Sequence, residues 1–188
     1  MNPRLFYFIG GSEGTWKVTE HLHLKGETIV TPEKIAMRNG TADNIIPKDA
    51  NWVVRGVTSN VRYVEQSEKE QLVSKQEGLG RTAANCAAMM LIRKNSAWWA
   101  LTQDERRAIF EAQSQHIEIG MKYLPAIARQ LHHCRDLENE EPFDFITWFE
   151  FAEADAEAFN DLLIELRSSP EWDYVDREVD IRMQKVVA

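Results

Sequence analysis

The sequence predicts an α+β fold, a ferredoxin-like run of strands and helices from residue 82 onward, closed into a barrel by strands nearer the N-terminus. Three observations carry this. After residue 82, segments of strand composition and of helical spacing follow one another as β-α-β-β-α-β, the order of a split βαβ unit. Residues 143–151 (FDFITWFEF) alternate strictly, with Phe143, Phe145, Thr147, Phe149 and Phe151 on one face. That leaves an aromatic-rich sheet face for a second sheet to cover, and the N-terminal strands can supply it, with the helices outside.

Taken in order, residues 5–9 (LFYFI) read as a short strand ended by Gly10-Gly11. The following GGSEG has the glycines of a phosphate loop but lacks its Lys-Ser/Thr, and no helix follows, so it reads as a turn. Residues 15–24 alternate as a second strand. Residues 25–50, rich in Thr, Asn, Asp, Lys, Gly and Pro, are expected to form a long irregular connection. Residues 51–58 (NWVVRGVT) are a strand by their β-branched content. Residues 63–76 are polar with helical spacing, closed by EGLG.

Residues 82–92 (TAANCAAMMLI) are apolar at both parities, as in a strand covered on both faces. Thr102 and Glu105 form a capping box for a helix expected to run to about Tyr123. Residues 126–134 and 143–151 are strands joined by the charged RDLENEEP. Residues 153–167 form an amphipathic helix with the stripe Ala156, Phe159, Leu162, Leu163 and Leu166. Residues 174–183 are the last strand.

At 188 residues the chain suits one domain with a sizeable core. Its net charge of −8 argues against a nucleic-acid partner and against docking on an anionic membrane. No segment approaches the length of a membrane span or the pattern of a secretory signal. Cys86 and Cys134 make no disulfide framework and sit in apolar runs. The expected compartment is the cytoplasm.

Two residues stand out as candidates for chemistry. His116 lies in the inward stripe of the helix expected over 103–123, with small residues, Ala112 and Gly120, at i±4. That column clears space around the imidazole, as a planar macrocycle would need; on the helix alone a hydrogen-bonded core histidine with tightly packed neighbours is the favoured reading. In AIARQLHHC, alternation places Arg129 on one face with Ile127, Leu131 and His133. A buried guanidinium keeps its charge, so it needs an anion or several acceptors. Glu150 or Asp144 on the neighbouring strand could provide a salt bridge; otherwise the arginine awaits an anionic ligand. A flat, iron-containing, anion-binding group between histidine and arginine, a heme, explains both. His132, His133 and Cys134 are adjacent and point to alternate faces, so they cannot converge on a zinc ion. His21 and His23 share a face but lack a third ligand nearby in sequence.

At these residues the chain resembles a known family. TSNVRYVE, IRKNSAWWALTQDERRAIFEAQSQHIEIGMKYLPAIARQLHHCRDL, EPFDFITWFEF and SSPEWDYVDREVDIRM are similar to the chlorite dismutases, most closely to their short, dimeric lineage II. The resemblance implies a dimeric α+β barrel of two ferredoxin-like halves in one domain over 1–188. Residues 1–81 would form an abbreviated first half, and 82–188 the half that carries the site. It implies one heme b per subunit, with His116 as axial ligand and a carboxylate on its other ring nitrogen, Glu171 or alternatively Glu178. Lys94 would belong to the same proximal network, and Trp98 and Trp99 would flank the heme and the subunit interface. Arg129 would be the catalytic arginine on the distal side, held in orientation by Gln76, with Leu124, Thr147 and Phe149 lining the pocket. The implied reaction converts chlorite to chloride and dioxygen in a homodimer. A coproheme decarboxylase of the same superfamily generally lacks this arginine. A dye-decolourising-type peroxidase would want an aspartate beside it, and a non-catalytic heme carrier needs no arginine there.

Overall fold

Strand parity divides the apolar residues into two cores. In this computed structural model, which describes residues 4–40, 46–58, 62–138 and 140–186, β5 (Cys86–Lys94) sends Ala87, Met89 and Leu91 into the interior of a barrel. The same strand sends Ala88, Met90 and Ile92 into a second layer beneath the helices. Both faces are covered by other elements, which is why the strand reads as a continuous apolar run.

The barrel is closed and its ladders are antiparallel, in the order β1-β3-β2-β8-β5-β7-β6-β4. Its other strands are β1 (Leu5–Gly11), β2 (Trp16–Lys25), β3 (Lys34–Asn39), β4 (Trp52–Val57), β6 (Ala128–His133), β7 (Phe145–Phe151) and β8 (Val175–Lys185). Within each group of four the order is the same: fourth, first, third, second, as β4-β1-β3-β2 and β8-β5-β7-β6. The seams between the groups differ. β2 and β8 pair along most of their length, whereas β4 meets β6 only at Val57 and His133.

Two expectations are overturned here. The connection expected over residues 25–50 contains a strand, β3, whose Ile35 and Ala36 are buried and which pairs with β1 over six positions. Its six residues, KIAMRN, are too few to show alternation against their polar flanks. The aromatic face of β7 is the second correction. The N-terminal strands cover the opposite face, Ile146 and Trp148. Phe149 and Phe151 instead pack on Phe159 of α5 (Ala156–Arg167). Alternation identifies which residues share a face, and leaves open what covers it. The stripe of α5 itself is as expected, with Phe159, Leu162, Leu163 and Leu166 buried.

The helical layer also contains α1 (Gln66–Lys75), α2 (Ser96–Ala100), α3 (Gln103–Arg107) and α4 (His116–Lys122). Thr102 and Glu105 form both hydrogen bonds of the expected capping box at α3. The single helix expected from there to Tyr123 does not form. Ala108–Gln113 is a π-helical turn, and Gln115 adopts a left-handed conformation at φ 51°, so α4 begins afresh at His116. The break changes the helical phase. Ile119, off the expected stripe, is buried, and Ala112 no longer stacks one turn before His116. No helix among the described residues is long and apolar enough to cross a membrane.

Candidate active site

One cavity of about 450 Å³ lies between the outer face of β5, β6 and β7 and the helices α1 and α4. Its sheet wall follows from register. Arg129 faces Phe149 across the β6–β7 ladder, Leu131 faces Thr147, and His133 faces Phe145, so six alternate residues form one surface. The volume lies in the range of small-molecule and cofactor sites, roughly 300–1,000 Å³.

On the helical side the break at Gln115 places His116 at the first turn of α4. Its Nδ1 lies 2.7 Å from Oε2 of Glu171, and its ring stacks on Phe110 with centroids 4.3 Å apart. Glu171 sits in the short 3-10 turn Pro170–Tyr174, which Ser114 pins by accepting the Glu171 N–H at 2.9 Å. Its other oxygen receives Lys94 Nζ at 2.8 Å, and the Lys94 ammonium stands 4.6 Å from the centroid of the Trp98 ring. Burial alone would push the Glu171 carboxyl up. His116 and Lys94, by charge and by hydrogen bonds, outweigh it and hold the group below the carboxylate range. Burial in turn pulls the Lys94 ammonium down against the opposing field of Glu171. Glu178, the alternative carboxylate, is committed elsewhere: it accepts Trp172 Nε1 and Arg167 Nε, both at 2.8 Å.

Arg129 presents the opposite chemistry. Neither acidic neighbour proposed for it is available. Glu150 accepts from Trp148 Nε1 and Gly80 N, and Asp144 from Lys94 N and Trp99 Nε1. Among the described residues the guanidinium has no ion pair and no hydrogen bond. Desolvation is what acts on its pKa, and lowers it. The guanidinium is enclosed by protein, while Arg129 as a residue is only part-buried and lines the cavity. Its planar end lies against Gly120, which has no side chain to exclude it.

The remaining residues divide. Thr147, Phe149, Gln76, Lys94 and Trp98 line the cavity, and Trp98 Nε1 is a buried donor with no partner among the described residues. Leu124 and Trp99 are not in its wall. Leu124 lies past the end of α4, and Trp99 lies behind Phe145, stacked on it at 6.0 Å. Gln76 does not hold the Arg129 side chain; its Nε2 donates to the Arg129 backbone oxygen at 2.8 Å. The Gly120 position serves Arg129 rather than an Ala112–His116–Gly120 column. Sequence reading missed Met90, Leu131 and His133 in the wall, although strand parity with Ala88, Arg129 and Thr147 could have found them. No signal in the sequence marks Phe110 as the partner of His116.

Fold and site together define a class: a closed antiparallel α+β barrel with a cavity on its outer face, a carboxylate-backed histidine on one wall and, among the described residues, an unneutralised arginine on another. The family follows from comparison with known proteins. The chlorite dismutase family profile matches residues 46–187, and the chain belongs to that family. The solved dimeric chlorite dismutase of Nitrobacter winogradskyi is 49% identical, with a TM-score of 0.88 over 96% of this chain and 99% of that one. The solved chlorite dismutase of Candidatus Nitrospira defluvii in complex with imidazole is 26% identical, with a TM-score of 0.59 over 72% of this chain and 56% of its own. Chlorite dismutase from Ideonella dechloratans is 31% identical over 121 residues, 63% of this chain; the match spans 40% of that relative's length.

Proposed function

We propose that this protein is a heme b-dependent chlorite dismutase that converts chlorite to chloride and dioxygen. The observation that carries the reading is one cavity shared by a carboxylate-backed histidine and a buried guanidinium with no acidic partner. The residues fit a heme. Glu171 occupies Nδ1 of His116 and leaves Nε2 for a metal, the surrounding wall is largely apolar, and Trp98 Nε1 is an unused buried donor. Held there by His116, a heme would supply the iron chemistry for cleaving a Cl–O bond and forming an O–O bond.

The protein's own part is to hold and to orient. Glu171 keeps the proton on Nδ1, fixes the imidazole tautomer and raises its basicity as a ligand, while Lys94 keeps Glu171 ionised. Arg129 offers charge-assisted hydrogen bonds to chlorite, and with no competing carboxylate its full charge is available to the anion. The same cation would hold a second small oxyanion such as hypochlorite in the cavity. Thr147, Phe149 and Leu131 present no strong acid or base, which suits a conversion with no net proton transfer.

We also infer a homodimer, supported by the solved Nitrobacter relative, which is described as dimeric. The shared strand order of the two groups of four supports reading them as ferredoxin-like halves.

The decisive experiment is to reconstitute the protein with hemin, add chlorite and follow an oxygen electrode. A Soret band and one dioxygen per chlorite are expected; a bright Soret band without dioxygen would reject the activity, and no band would reject the heme.

A further inference from the structure

Gly120 has no conformational reason to be glycine. It is buried inside α4 on helical backbone, where glycine is less favourable than alanine. The reason lies on the facing strand. A Cβ on Gly120 would fall 2.8 Å from Arg129 Cζ and 2.7 Å from Nη2, with Nη1 nearer still, against 3.4 Å or more for an ordinary contact. The end of the guanidinium fork therefore abuts the bare backbone of α4.

We propose that Gly120 is a positioning residue: it seats the Arg129 guanidinium where a small oxyanion is bound. The proposal deepens the reading above and rests on it for the identity of the anion. The backbone of Arg129 is held by the ladder to Phe149 and by Gln76 Nε2 on its carbonyl oxygen. Its side chain has no ion pair or hydrogen bond among the described residues, so packing decides where the charge sits, and Gly120 forms that packing surface. A methyl group at 120 shifts the fork by about 1 Å, enough to cost up to ~10²-fold where two groups must meet in a set geometry.

The test is a pair of double-mutant cycles on Gly120→Ala and Arg129→Ala. Thermal melts of the hemin-free protein come first. Gly120→Ala is expected to give a less favourable Tm shift when Arg129 is present than in the Arg129→Ala background. It should raise Tm in the Arg129→Ala background, where the better helix former meets no obstacle. Equal shifts in both backgrounds overturn the proposal. The second cycle titrates the hemin-loaded proteins with nitrite through the Soret band. Gly120→Ala is expected to weaken nitrite binding about ten-fold or more when Arg129 is present, and to change nothing when it is absent. Unchanged nitrite affinity in the single variant overturns the positioning role, even if the melts are coupled. Absence of a Soret band rejects the heme reading, while the melts still decide whether Gly120 seats Arg129.

Discussion

Glu171 connects stability and chemistry at the scale of one residue. Its two oxygens serve Lys94 and His116, and both charged partners of the Lys94–Glu171 pair are almost wholly buried. Such a pair contributes little over apolar side chains of the same size, yet removing one member leaves the other charge buried without compensation. Glu171→Gln should therefore lower stability by roughly 3–5 kcal/mol, read as a lower urea midpoint. Adding Lys94→Met should recover a good part of the loss. If the single variant unfolds at the wild-type midpoint, the pair is not the buried charge couple described here. The resemblance leaves Glu171 and Glu178 both open as the match to the family's carboxylate, and only folding shows which one meets His116.

At the scale of the element, the break before α4 is what aims His116. A continuous helix from Gln103 would leave the imidazole at another phase; the π turn at Ala108–Gln113 and the left-handed Gln115 reset it. A non-glycine residue in that conformation carries strain of about 1–3 kcal/mol, more for a β-branched side chain. Gln115→Gly is expected to hold or raise the denaturation midpoint, and Gln115→Val to lower stability by at least ~1 kcal/mol. Equal midpoints for the two variants would mean that the turn is not under this constraint. Nothing in QSQHIEIG signals the break, since none of its residues forbids a helix. Glu111 accepts the Ile117 N–H at 2.7 Å, capping the new helix from outside its own first turn.

At the scale of the whole molecule, the barrel stores an acid sensitivity in two histidines unconnected with the cavity's ion pair. His132 points into the barrel interior between Phe6 and Phe8, fully buried, with neither ring nitrogen hydrogen-bonded among the described residues. Burial pushes its pKa down from 6.5 to about 4; the Ile146 backbone across the ladder offsets only part of this, and His133 adds to it. His133, on the opposite face, falls to about 4 by burial and the nearby Arg62, against the pull of Asp136. Unfolded, both histidines protonate as pH falls through about 6.5, whereas the folded chain resists until about 4. Stability is thus complete above pH 6.5 and declines between 6.5 and about 4. The His132 contribution is of order 3 kcal/mol. His132→Leu should flatten much of that decline in Tm measured from pH 7.5 to 4.5; an unchanged slope would place the sensitivity elsewhere.

The sequence by itself determined the strand and helix order after residue 82, the stripe of α5, the face shared by Arg129 with Leu131 and His133, and the family. All of these are local: they depend on periodicity within a segment, or on motifs short enough to read without knowing what lies opposite. The tertiary structure decided the rest. Which layer covers the aromatic face of β7, which carboxylate backs His116, where Gln76 donates, and why residue 120 carries no side chain are relations between segments far apart in the chain. The physical reason is that a periodicity assigns side chains to a face, whereas a partner is chosen by register, by a break such as Gln115, and by the space left once the barrel has closed.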